Sequence, residues 1–209
     1  SFTLRDLFPG VLEQNPDLIL IYTGHNEYYG ALGIGSMESL GSSREMINFI
    51  LYLNRFKTAI LLRNIIQGIL RLFSGNEVAS GTLMSRMAKD QYIGYESDTY
   101  KKGINQFEGN MEDILEMAKE KNVPVVLSTL VSNLKDQPPF ISIKSERYPQ
   151  ADKIYKQAEL TLSSGNIKGA DSLFRFAKDL DGLRFRAPEE LNLKIKLLCG
   201  RFNLPLVNA

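Results

Sequence analysis

Three times along this chain a helix-patterned stretch runs directly into a short apolar segment rich in β-branched residues. Residues from about Thr3 to Gln14 place Leu4, Leu7, Phe8, Val11 and Leu12 on one stripe, Asn15-Pro16 stops them, and Leu18-Ile19-Leu20-Ile21-Tyr22 follows. In the same way Tyr100 to Lys121 precedes Val123-Pro124-Val125-Val126-Leu127-Ser128-Thr129-Leu130, and Pro188 to Phe202 precedes Leu204-Pro205-Leu206-Val207. The continuous apolar run at Leu18–Tyr22, bounded by Pro16-Asp17 and Gly24, suits a strand buried on both faces. Repeated helix-to-strand units predict an α/β chain: a parallel sheet with covering helices.

The balance of 25 Lys and Arg against 24 Asp and Glu leaves a net charge of +1, so no global field draws in nucleic acid, and function must sit in a local site. The lone cysteine, Cys199, lies in an apolar helical run and reads as a buried structural thiol; it can build neither a disulfide nor a cysteine metal cluster within this chain. The lone histidine, His25, cannot build a metal site without carboxylates from distant segments, and the sequence shows no such cluster. No metal site and no cofactor are expected. The N-terminal Ser1-Phe2-Thr3-Leu4-Arg5-Asp6 lacks the basic flank and apolar core of a secretory signal.

Two segments depart from the helix-to-strand rhythm. Between Glu45 and Glu77 there is no acidic residue, while Arg55, Lys57, Arg63 and Arg71 interrupt an apolar sequence too often for a bilayer span. Two readings stay open for this helical insertion of about 45–95: helices packed on the domain, or a basic amphipathic face lying on a membrane. The second segment, about 151–182, spaces Gly165, Ala170, Phe174 and Ala177 like a tetratricopeptide helix pair, with Gly182 where that repeat usually has proline. A single copy reads as a helical hairpin docked on the α/β core, and its outer surface is a candidate site for a protein partner.

The block Gly24-His25-Asn26-Glu27 lies just past the carboxyl end of the first strand, where open parallel sheets place ligands. Glycine can turn its N–H into a cleft, and Asn26 adds a carboxamide donor two residues on. Two fixed donors converging on one point would stabilise a developing oxyanion, each by on the order of 3 kcal/mol. His25, Glu27 and Tyr28 are candidate substrate-binding neighbours. One of Tyr28 and Tyr29 could wall the cleft while the other packs, since consecutive strand residues face opposite ways. Arg184 and Arg186 could bind an anionic group, with a surface ion pair to Glu189 or Glu190 as the plainer alternative.

Tyr22-Thr23-Gly24-His25-Asn26-Glu27-Tyr28-Tyr29-Gly30 resembles the Gly-x-Asn-Asp block of SGNH (GDSL-type) ester hydrolases, with Glu27 in place of the family's aspartate. Asn122 to Thr129 resembles the next core strand of these enzymes. Ser132 to Phe140 and Leu183 to Pro188 look like segments of a subgroup that inserts tetratricopeptide-like helices. The resemblance implies a three-layer α/β/α fold of flavodoxin-like type, present as a partial hydrolase domain over 1–209. It also implies cleavage of a small-molecule or carbohydrate ester, with Gly24 and Asn26 forming the oxyanion hole. An extracytoplasmic or membrane-associated setting is implied as well.

That family's nucleophilic serine sits in a Gly-Asp-Ser-like block upstream of the glycine-asparagine block, and residues 1–23 hold none. Its Asp-x-x-His block should follow the last strand, beyond Ala209. The expectations are therefore an excerpt of a longer chain, or a sheet completed by another segment, inactive as it stands. Gly35-Ser36 and Gly41-Ser42-Ser43 read as loop, and His25 fills the motif's variable position. The rival reading is a non-catalytic interaction or scaffold module with a hydrolase-like core.

Overall fold

A computed structural model describes residues 1–30, 32–34, 43–58, 60–61, 64–65 and 92–209. In chain order the elements are α1 (Phe2–Leu12), β1 (Ile19–Ile21), α2 (Arg44–Leu53), α3 (Asp98–Glu120), β2 (Val125–Ser128), α4 (Ala151–Ser163), α5 (Ile167–Asp179), α6 (Glu189–Phe202) and β3 (Leu206–Val207). Of the segment 45–95, α2 and short flanking pieces are described, and the rest lies outside the described residues.

Local chemistry explains where the elements start and stop. Ser43 and Ser97 cap α2 and α3 by accepting from the Met46 and Tyr100 N–H groups, and Asn166 caps α5 from Gly169 N at 2.9 Å. Each helix that leads into a strand is followed by an asparagine in the left-handed region: Asn15 (φ 51°), Asn122 (φ 55°) and Asn203 (φ 53°). Asparagine tolerates that conformation better than most residues, and a proline follows each within two positions, so the chain cannot resume the helix.

The three strands form one parallel sheet in the order β1-β2-β3, in register at Ile19↔Val125, Ile21↔Leu127 and Leu127↔Leu206. The α/β class and the parallel sheet are thus observed. Helix α3 packs against both α1 and α6, and the three helices close one core over Ile21, Val125 and Leu127, centred on Phe107, Met111, Ile114, Leu191 and Leu198. Each fully buried side chain of this size contributes roughly 2 kcal/mol of transfer free energy.

The other side of the sheet differs from expectation. Leu20 is 72% exposed, Tyr22 52% and Leu18 51%, so β1 is buried on one face and not on both. Among the described residues the helices cover that one face, giving two layers where three were expected. A continuous apolar run is compatible with two covered faces but does not itself supply the second cover.

Helices α4 and α5 form a hairpin with its own small core. Ala158, Ala170 and Ala177 are fully buried where the helices approach, and Phe174 meets Tyr155 edge-on at 5.3 Å. The turn between them uses Gly165 at φ 84°. At Gly182 an added Cβ would stand 2.7 Å from Ile143 Cδ1, and the Gly182 N–H donates to Ile141 O at 2.9 Å. Proline there would add atoms where there is no room and remove a used donor. No helix among the described residues is long and apolar enough to cross a membrane.

Candidate functional site

The chain leaves β1 at Ile21 and turns tightly over Gly24–Gly30. Glu27 N–H donates to Gly24 O at 3.2 Å and Gly30 N–H to Asn26 O at 2.7 Å, so the carbonyls of both motif residues are tied down. Gly24 is buried at φ 145°, a backbone conformation open chiefly to glycine. Leu130 Cδ1 stands 2.5 Å from where a Cβ would lie, with Leu191 and Phe107 at 3.5 Å. Asn26 is exposed, and neither its carboxamide nor the Gly24 N–H has a hydrogen-bond partner among the described residues.

The neighbours read as substrate-facing lie elsewhere. Glu27 is 3% exposed and accepts from Ser1 Oγ at 2.7 Å and from the Ser1 main-chain nitrogen at 2.8 Å, while Asn110 donates to the same Ser1 hydroxyl. Tyr28 is 1% exposed, donates to Tyr100 O at 3.0 Å and lies against Gly103 of α3. Tyr29 is buried too, edge-on to Phe185 at 5.4 Å. The alternation expected of these two tyrosines fails because they stand in a coiled turn and not on a strand, where adjacent side chains need not face opposite ways. Burial raises both phenols above their ordinary range.

His25 is half-buried and acts as a strut. Its Nδ1 accepts from the Ala187 N–H at 3.3 Å, and its Nε2 faces Tyr22 Oη at 3.3 Å. Burial, then the charge of Lys178, lowers its pKa, which favours the neutral ring at pH 7. With Nδ1 accepting, the proton of the neutral ring belongs on Nε2. A general base would need that position empty, so this geometry serves tethering of the Gly24 turn to the segment before α6.

That segment is held by buried charges the sequence reading placed on the surface. Arg184 and Arg186 are 2% and 8% exposed. Arg184 donates to Ile93 O at 3.1 Å and to Asp179 O, and its guanidinium lies 4.9 Å from the Tyr100 ring centroid. Arg186 pairs with Asp181 at 3.2 Å and donates to Gln137 O at 2.7 Å. Glu189, proposed as an arginine partner at 184 or 186, instead pairs with Lys178 and Arg175. The surface ion pair is therefore replaced by an internal network, because loop 133–141 supplies carbonyl acceptors to Arg186 while Ile93 and Asp179 supply those of Arg184.

Within this network burial pushes the Asp179 carboxyl up to about 6, against the opposing pull of Lys178 and of the Glu189 N–H. A folded-state pKa above the ordinary value means that the native protein binds the extra proton between about pH 4 and pH 6. Asp179's contribution to stability is thus fully present below about pH 4 and is lost as pH rises through about 6. Asp179→Asn keeps the acceptor for the Glu189 N–H. It should raise stability at pH 7 by on the order of 1–2 kcal/mol and flatten the pH 4–6 slope. Urea midpoints measured across that range check it; an unchanged slope would refute it.

A cavity of about 390 Å³ opens at the carboxyl ends of β2 and β3, lined in part by Val131, Ser132, Arg175, Asn192 and Lys196. Gly24 and Asn26 are not in its lining. Asn192 closes the floor by bonding both the N–H and the carbonyl of Leu130. Among the described residues no group of three or more His, Cys, Asp and Glu side chains is placed to hold a metal ion. Cys199 is buried, and burial raises its thiol pKa. Compared with protein-family models, curated proteins and solved structures, the chain matches none.

Proposed function

We propose that this chain supplies the oxyanion-stabilising part of a serine ester hydrolase of SGNH type, with nucleophile and base contributed from outside residues 1–209. The observation that carries the reading is the pair of uncommitted donors past the carboxyl end of β1. Gly24 N–H and the Asn26 carboxamide lack partners among the described residues, although both residues' carbonyls are fixed by the turn. A tetrahedral oxyanion from a small-molecule or carbohydrate ester would accept from both.

In the complete protein assayed on short acyl esters, Asn26→Ala should lower kcat by roughly a hundredfold or more. Because Asn26 is exposed and its side chain unbonded, the melting temperature should barely move. An unchanged kcat defeats the assignment. The rival, a non-catalytic interaction module, draws on Glu27 and Tyr28 serving the interior, and on Leu160 and Ile167, 71% and 70% exposed on the α4–α5 hairpin. It predicts that no Asn26 variant alters any ester turnover.

A further inference from the structure

Past Glu45 in its first turn, the face of α2 turned to solvent is apolar, the reverse of what a helix packed on a soluble core presents. Its inner side is fixed: Ile47 is 1% exposed, and Arg44 donates to Asn110 Oδ1 at 3.1 Å and to Gly109 O at 2.8 Å on α3. On the opposite side Met46, Phe49 and Tyr52 are 52%, 57% and 54% exposed. Beyond the helix Phe56, Leu61 and Ile65 are exposed as well. An apolar surface of this extent marks a place where something docks.

Charge identifies the occupant. Along the sequence no acidic residue stands between Glu45 and Glu77, whereas Arg55, Lys57, Arg63 and Arg71 do, the last two outside the described residues. Arg55 reaches Asp6 at 3.3 Å while its side chain stays 54% exposed, and Lys57 has no ion-pair partner among the described residues. Aromatic and aliphatic residues beside cations suit the boundary between anionic headgroups and acyl chains.

We propose that α2 and residues 54–58 form a peripheral docking surface for an anionic bilayer, with Phe49 and Phe56 entering the headgroup boundary and Lys57 meeting the lipid charge. The 209-residue chain is mixed with vesicles of phosphatidylcholine alone or with phosphatidylglycerol added, at low and high salt, and recovered by flotation. Binding to the anionic vesicles is expected, weakening several-fold or more at high salt because the headgroup attraction is screened. Phe49→Glu should reduce it by about tenfold or more by losing buried apolar area. Exposure of Phe49 should leave the circular-dichroism melt unchanged.

Absence of binding to anionic vesicles, or Phe49→Glu binding like the parent with an unchanged melt, overturns the proposal. So does a dimer in sedimentation that Phe49→Glu dissociates while vesicles are ignored. Met46→Glu gives a second reading of the same face should Phe49→Glu fail to fold: loss of flotation with a normal melt supports it, and retained flotation overturns it.

Discussion

Asp181→Ala should cost about 4 kcal/mol or more, a large share of the 5–15 kcal/mol that usually separates a domain from its unfolded state. The carboxylate is 2% exposed and accepts four hydrogen bonds: Phe140 N at 2.9 Å, Ile141 N and Leu183 N at 3.0 Å, and Arg186 Nη2 at 3.2 Å. Removing it strands the donors around a small void and leaves a guanidinium without its counter-charge in a buried setting, where unmade bonds cost most. The isosteric Asp181→Asn retains one acceptor oxygen but aims an NH2 group at donors, and should cost about 2 kcal/mol. Urea midpoints, read at constant m, order the two variants. An Asp181→Ala protein with the parent's midpoint would disprove the role given to this carboxylate.

Gly24→Ala should destabilise by roughly 2–4 kcal/mol, combining overpacking with a strained backbone. The new methyl would meet Leu130 Cδ1 at 2.5 Å, and that side chain has little room to withdraw, being 6% exposed within the packed core. At φ 145° the alanine would also occupy a region that side chains with a Cβ rarely adopt. Thermal melts of Gly24→Ala beside Asn26→Ala separate packing from chemistry, since the exposed asparagine should cost no more than about 0.5 kcal/mol. Equal melting temperatures for the two variants would show that Gly24 is not constrained as described.

Much of the scaffold could be read before any coordinates. All three helix-to-strand units appear, with the strands trimmed by a residue or more at their ends, and Cys199 is buried in its apolar run. The spacing of Ala170, Phe174 and Ala177 anticipated the hairpin's internal core. The asparagine followed by proline at Asn122 and Asn203 marks helix ends as clearly as Asn15-Pro16 does. For the candidate site, the position of Gly24 and Asn26 past β1 was legible, but the inward turn of Glu27 and Tyr28 was not. Glu27 meets Ser1 from the start of α1, and Tyr28 meets Tyr100 on α3, so neither destination leaves a mark near residue 27.

Periodicity and turn chemistry along the chain determined the class of fold, the order of its elements and the hairpin, because these follow from which side chains recur on one face and which residues tolerate a left-handed turn. Tertiary structure alone decided that Leu20 faces outward, that Arg184 and Arg186 lie inside and that Asp181 is the hub of its loop. Each of those outcomes depends on a segment dozens of residues away arriving, or not arriving, to cover an apolar face or to satisfy a charge. Local pattern sets what a residue can do; the partner it meets across the fold determines what it does.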